Sequence, residues 1–368
     1  MRKGVCLIGP GGGSGLQAYA AQVAEELAAR DEAAWTLAAR GPFALTAPLF
    51  FTAAAIRLTW LAMSGRIDSA HLLVAELGSV WRKGLLAALA RALGLRVVIH
   101  LHGPELAAEA RDAWGPTRFA LRAGARLAHV NLALGRDLAR FLTEDLGAPA
   151  ERVAILRNAL PDAPWSPRRV PARPGRDRPL RVLFVAPMTR CKGARAVVQA
   201  LAMLRAHGIE AEAVLAGAGP ERVHARAEAR RLGVAADFPG RITAAEAEDL
   251  MEWADVLAHP SSREGLPLTL LQALRAGLPA VAAPSGAIGE ALPQGDGLVH
   301  IPARDAAGLA RALERLANDP AWLLALGEAA RVVFENRFRM DRHVDRLEAH
   351  YGWTAPQPRG IEAPAQPA

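Results

Sequence analysis

Two series of short apolar runs, each run followed by a longer amphipathic stretch, fill this 368-residue chain, and a proline-rich break separates them. Strand-sized runs alternating with helix-sized ones predict an α/β fold with parallel sheets, because each parallel return needs a crossover helix. In the first series the expected strands are 5–8, 72–75, 96–101, 127–132 and 153–156, with a second strand ending near Arg40. Leu16, Tyr19, Ala20, Val23 and Leu27 share one face at helical spacing after the first strand. Residues 161–179 hold six prolines and five arginines, the composition of a linker. The second series predicts strands at 181–185, 211–215, 256–258 and 280–282. Thr243-Ala-Ala-Glu246 is a capping-box sequence opening a helix that carries Leu250 and Trp253. Residues 305–350 read as helices alone, and the Pro/Ala-rich tail from 354 reads as disordered. Two doubly wound domains joined in this way leave a cleft at the carboxyl edges of their sheets, where ligands bind in such folds.

Charge and cysteine content narrow the partners. Two cysteines, Cys6 and Cys191, are too few for a disulfide framework or a cysteine zinc site, and fit a reducing compartment. The net charge is +7: residues 1–160 hold 18 basic and 13 acidic residues, the remainder 26 and 24. The positive excess in the first half suits an anionic phospholipid surface or a diphosphate-bearing partner. No nucleic-acid motif is present, and none is expected to bind. The longest uncharged stretch, 41–56, is interrupted by Pro42 and Pro48, so neither a membrane span nor a signal peptide is expected.

Five motifs sit where a strand gives way to a helix. Gly9-Pro-Gly11-Gly12-Gly13-Ser14-Gly15 lets backbone approach an anion at a helix N-terminus, or makes a plain tight turn. Its spacing misses the dinucleotide-binding pattern, and the acidic residue that would follow strand two is absent. His100 and His102 alternate onto one face of a strand, as a metal pair, a ligand contact or a satisfied core histidine. No Asp-x-Asp pair exists to hold a divalent ion, and no metal site is expected. Ser79, Arg82 and Lys83 open a helix, where cations oppose the macrodipole unless an anion binds. Arg190 and Lys192 lie in a strand–loop–helix segment and suit a diphosphate clamp. Ser261-Ser262-Arg263-Glu264-Gly265-Leu266-Pro267 runs into a helix bearing Gln272, so Glu264 and Gln272 lie about 12 Å apart along its axis, within reach of one elongated ligand.

Together these residues resemble the GT4 family of retaining glycosyltransferases over about residues 3–350. The strongest part is 254–292, whose family motif Glu-x7-Glu begins at Glu264. Asp68-Ser-Ala-His71, the Ser79/Arg82/Lys83 cluster and His100-Leu-His102-Gly103 look like members of bacterial polysaccharide assembly. The resemblance implies a GT-B architecture: two doubly wound Rossmann-like domains facing each other across a cleft. It implies an acceptor-side domain at 1–160, a linker at 161–179, a nucleotide-sugar-binding domain at 180–335 and a helix at 336–353 crossing back to the first. By position, Gly12, Gly13 and Gly15 face donor phosphates, His102 lies by the transferred sugar, and Lys192 lies on the diphosphate. Glu264 touches sugar hydroxyls with Gly265 and Leu266 beside it, Gln272 meets the ribose, and Gly240 and Arg241 meet the base. Ser79, Arg82 and Lys83 belong to the acceptor side.

The implied chemistry is metal-free hexosyl transfer without a cofactor, from a UDP-sugar or GDP-sugar to a lipid-linked or oligosaccharide acceptor. The positive excess of the first half, with Arg82 and Lys83, points to a peripheral place on the cytoplasmic face of the plasma membrane. There the helical stretch with Phe50/Phe51, Ala54, Arg57/Leu58 and Leu61 is expected either to lie on the bilayer or to pack in the core. Three departures stand out. Gln272 replaces the second glutamate, Ala186-Pro187 replaces the usual Gly-Arg, with Arg190 as substitute, and Asn158-Ala159 replaces Asn-Gly. They keep two other readings in play: a catalytically weak GT-B partner subunit, and an inverting enzyme or sugar-nucleotide epimerase.

Overall fold

The computed structural model describes residues 4–11, 15–39, 46–103, 105–166 and 174–354. The chain divides into two compact units: Met1–Leu156 with Met340–Ala368, and Arg157–Arg339. The glycines Gly12 and Gly13 lie outside the described residues, and Gly15 is the first residue of the helix Gly15–Ala29.

Unit 1 is built on six parallel strands: β1 (Gly4–Gly9), β2 (Ala33–Ala38), β3 (Ser69–Val74), β4 (Arg96–Leu101), β5 (Val130–Ala133) and β6 (Val153–Ile155). Their order is β2-β1-β3-β4-β5-β6, so the winding reverses between β1 and β3. Right-handed crossovers put the helix after β1 on one face and the helices of the later crossovers on the other. Packing agrees. The helix Gly15–Ala29 lies against the C-terminal helix Met340–Tyr351, whereas Ala47–Met63, Val80–Ala92 and Gly115–Leu127 pack in succession.

Unit 2 holds β7 (Leu180–Val185), β8 (Ala211–Ala216), β9 (Ala235–Gly240), β10 (Val256–His259), β11 (Ala280–Ala282) and β12 (Leu298–His300). The order β12-β11-β10-β7-β8-β9 is again doubly wound, reversing between β7 and β10. Leu180, Val182 and Phe184 of β7 are wholly buried in its core with Val197, Leu201 and Leu313 from the covering helices. Thr243 and Glu246 form the expected capping box at the head of Ala244–Trp253. Asp162 pairs with Arg331 at 2.9 Å, and Arg275 donates to the Pro161 carbonyl at 3.1 Å, so the proline-rich segment begins fastened to unit 2.

Strands β9 and β12 were not expected. The first is an edge strand with Pro239 near its end, and the second is three residues long, so neither carries a strong apolar run. Strand β5 starts at Val130, three residues later than expected, because a helix runs through Leu127.

Two side-chain expectations also change. On the helix Ala47–Met63 the positions read as a membrane face, Ala54, Leu58 and Leu61, are the core stripe. Its outward stripe is Leu49, Ile56, Trp60 and Met63, with Trp60 flanked by the guanidinium groups of Arg57 and Arg66. Lys83, read as an acceptor-side cation, is instead buried on the stripe shared with Val80, Ala87 and Ala90. Its Nζ donates to the Leu73 carbonyl, and burial brings its pKa down to about 7.

The other face of the first sheet encloses a buried aromatic cluster. Tyr19 Oη lies 2.7 Å from His343 Nε2, and Tyr351 Oη lies 2.7 Å from His71 Nδ1. The rings of His100 and His102 lie between them, with centroids 4.0 Å apart and planes tilted by 43°. His100 Nε2 donates to the Leu156 carbonyl at 3.1 Å. Burial holds His71 and His102 well below the usual imidazole range and brings His100 to about 3, so all three are neutral. These bonds hold the C-terminal helix to unit 1.

Candidate active site

In a doubly wound sheet, the loops at the winding reversal splay apart and open a pocket at the carboxyl ends of the strands. In unit 2 those loops follow β7 and β10. The β7 loop ends in a tight turn, Arg190–Lys192, and Gly193 at φ +80° then starts the helix Ala194–Ala206. The β10 loop carries Pro260 to Pro267 ahead of the helix Leu268–Arg275. Glu264 thus precedes that helix by four residues, and the rise-per-residue separation from Gln272 does not apply. The loops are tied together, since Ser262 N donates to the Cys191 carbonyl at 2.8 Å.

Their charged residues meet. Lys192 Nζ lies 2.6 Å from Glu264 Oε1 and also donates to the Arg263 carbonyl at 3.2 Å. His259, the last residue of β10, places Nε2 2.9 Å from the same Oε1. A carboxylate only accepts, so His259 carries its proton on Nε2, and its Nδ1 is buried with no partner among the described residues. Burial alone would raise the Glu264 pKa, but His259 and Lys192 outweigh it and hold it at about 2. Glu264 is therefore an ionised acceptor at any working pH, not a proton donor.

The backbone of this loop is fixed from behind. Ser285 Oγ donates to the Ser261 carbonyl at 2.9 Å, and Ala287 N donates to the Gly265 carbonyl at 3.0 Å. Gly286, at φ +58°, approaches so closely that a Cβ there would stand 1.7 Å from the Glu264 carbonyl oxygen. Leu266 is buried, and its carbonyl accepts from Asn158 Nδ2 at 2.7 Å. On the neighbouring strand ends, Gly217 N donates to the Gly240 carbonyl at 2.6 Å. The Arg222 guanidinium lies over Gly240, and Arg241 is exposed beside it.

Lys192, Glu264, Gly265 and Leu266 are thus brought together, with exposed Arg190 in the same turn as Lys192 and half-buried Gln272 on the following helix. His102, Ser79, Arg82 and Lys83 belong to unit 1. His102 lies inside the aromatic cluster, with Nε2 buried and unpartnered among the described residues, and Ser79 Oγ donates to the Glu76 carbonyl at 2.8 Å. Sequence reading missed His259, Arg222, Gly217 and Gly286. A histidine closing a buried strand five residues before a glutamate was the one available signal for the first.

Residues 170–333, nearly all of unit 2, match the family model described as "Glycosyl transferases group 1". Over these residues the chain is similar to the group 1 glycosyltransferases. Glycogen synthase of Mycobacterium tuberculosis is 31% identical over 225 residues, 59% of this chain and 54% of that protein. The chain thus spans about half the length of this curated relative. Among solved structures, sucrose-phosphate synthase from Thermosynechococcus elongatus superposes with a TM-score of 0.76 at 18% identity, covering 95% of this chain and 98% of that one. Anabaena HepE in complex with UDP gives 0.72 at 16% identity, covering 96% and 100%. These likenesses show that the chain has the GT-B fold.

Proposed function

We propose that this chain is a group 1, GT4-type retaining hexosyltransferase that takes a sugar from a UDP- or GDP-sugar and passes it to a lipid-linked saccharide in bacterial polysaccharide assembly. The observation that carries this reading is the constellation of half-buried Lys192 with buried Glu264 and His259 at the winding reversal of unit 2. Lys192 supplies positive charge where the diphosphate leaves, and electrostatic stabilisation of developing charge is commonly the largest single catalytic term. Glu264 accepts from hydroxyls of the transferred sugar, and His259 holds its carboxylate in place. The bond from C1 to the diphosphate oxygen breaks, and the bond from the acceptor oxygen to C1 forms on the same face. The acceptor's proton passes to the departing diphosphate. Support for a nucleotide donor comes from the UDP complex of the similarly folded Anabaena protein.

Metal independence is part of the proposal. Among the described residues, no group of three or more His, Cys, Asp or Glu side chains is placed to hold a metal ion. Among them, too, no helix is long and apolar enough to cross a membrane. The proposed setting is peripheral, on the cytoplasmic face of the plasma membrane, where basic helices meet anionic lipid.

The test is donor turnover, with the product's anomeric configuration read by NMR and a parallel reaction in excess EDTA. The expected product keeps the donor's configuration, at an unchanged rate in EDTA. Inversion would overturn the retaining mechanism, and a loss of rate restored by Mg²⁺ or Mn²⁺ would overturn the metal-free one. Nucleotide-induced thermal stabilisation without any turnover would favour the partner-subunit reading.

Gly286→Ala offers a second check on the site. A left-handed backbone costs an L-residue roughly 1–2 kcal/mol, and the new methyl cannot stay 1.7 Å from the Glu264 carbonyl. The loop must move, so kcat/KM is expected to fall by about tenfold or more, since small misplacements of a site are costly. Wild-type kcat/KM in a folded variant would show that the position of this loop is immaterial.

A further inference from the structure

We infer that the outward face of three helices packed side by side in unit 1 is the surface by which this chain docks on an anionic phospholipid bilayer. The inference gives a location to the membrane part of the function proposed above. The helices Ala47–Met63, Val80–Ala92 and Gly115–Leu127 contain six arginines, one lysine and no acidic residue. On the opposite face of the same sheet, the helices Gly15–Ala29 and Met340–Tyr351 are mixed in charge, with Arg30 paired to Glu26, Asp345 and Glu348. The positive excess is therefore confined to one face.

That face also carries most of the exposed apolar bulk. Thirteen large hydrophobic side chains are exposed among the described residues, and eight belong here. Four form the outward stripe of the first helix. Trp81 and Leu85 are one turn apart on the second, Phe119 lies on the third, and Trp114 immediately precedes it. Trp114 is 75% exposed and Phe119 72%. The second and third helices are pinned to one another, with Trp81 Nε1 donating to Thr117 Oγ1 at 3.3 Å, so these aromatic groups ride on a rigid layer.

Arg118 and Arg122 stand one turn apart beside Phe119 and are exposed. Arg122 donates to the Asp145 carbonyl, a neutral acceptor that leaves its charge uncompensated by that contact. Asp112 and Glu109 border the Trp114 end and lie outside the three helices. Aromatic rings at headgroup depth with interspersed arginines and no carboxylates match the chemistry of a bilayer with anionic headgroups. A protein partner or a second copy would need carboxylates of its own to meet the arginines, and stands as the competing outcome.

The test is sedimentation of the full chain with vesicles of phosphatidylcholine alone and of equal parts phosphatidylcholine and phosphatidylglycerol. Binding is expected only to the second, weakening as salt rises. Trp114→Ser/Phe119→Ser should weaken it by more than about tenfold, the worth of one buried aromatic group. Arg118→Glu/Arg122→Glu should weaken it by about tenfold or more, through the lost attraction of two charges. Val223→Ser/Val332→Ser, on exposed positions of unit 2, should bind as wild type. Equal binding to both vesicles, wild-type binding by both unit 1 variants, or self-association with no vesicle binding would each overturn the inference. Donor turnover in the same samples is expected to be unchanged in the surface variants. Its absence from the wild type would count against the donor site alone, because the vesicle arms do not depend on it.

Discussion

Glu264→Ala is expected to tighten the binding of free nucleoside diphosphate while it cuts nucleotide-sugar turnover. Glu264 holds the Lys192 ammonium at 2.6 Å, so an incoming diphosphate must compete with a carboxylate that stays ionised down to about pH 2. Removing the carboxylate ends that competition, and it also deletes the acceptor offered to the sugar. The loss of one charge-assisted hydrogen bond costs ~1.5–3 kcal/mol, or roughly tenfold to more than a hundredfold in kcat/KM. Lys192→Ala should lose turnover to a similar degree but weaken diphosphate binding, because the cation itself is gone. Calorimetric titration with UDP and GDP, beside donor turnover, separates the two. Weaker diphosphate binding by Glu264→Ala would show that the two side chains do not compete.

The second large effect is acid lability. An unfolded imidazole takes up its proton near pH 6.5, whereas burial brings native His100 to about 3 and holds His71 and His102 well below their ordinary value. Below pH 6.5 the unfolded chain therefore binds more protons than the native one, and stability falls as pH falls. It goes on falling until the native groups titrate, which for His100 means pH 3. Three such groups cost about 3 kcal/mol between pH 6.5 and 5.5. His350, brought to about 4 by burial and by Arg96, adds to the same slope. Thermal melts from pH 8 to 5 should fall by several degrees beneath pH 7, below a gentler slope that buried Lys83, brought to about 7, gives above it. A melting temperature that stays level to pH 5 would mean that the cluster takes up protons without loss.

Much of this was legible in the residues, for reasons that differ from element to element. The central strands β1, β4 and β7 are buried on both faces and read as continuous apolar runs. Edge strand β9, Ala-Ala-Asp-Phe-Pro-Gly, has no such run and takes its form from pairing with β8. Glu264 and Lys192 stood out because charges in glycine-bearing loops after strands are seldom structural. His259 did not, since it closes an apolar strand and finds Glu264 only when the loop folds back. Lys83 misled through its charge, although its spacing to Val80, Ala87 and Ala90 already marked the core stripe. Gly286 shows its purpose only in three dimensions, as the contact that leaves no room for a methyl group.

Unit 1 is made of two stretches of chain that bracket the whole of unit 2, leaving at Leu156 and returning at Met340. A ribosome has therefore made all of unit 2 before it begins the helix that supplies His343 and Tyr351 to Tyr19 and His71. At about 5–20 residues per second, the first stretch waits roughly 10–40 s for its last element. Throughout that interval, the sheet face carrying His71 and His100 lacks its cover and is open to wrong partners. The newborn chain, more than the finished protein, is where a chaperone has work to do, and loss of the final helix would strand unit 1 while unit 2 still folds.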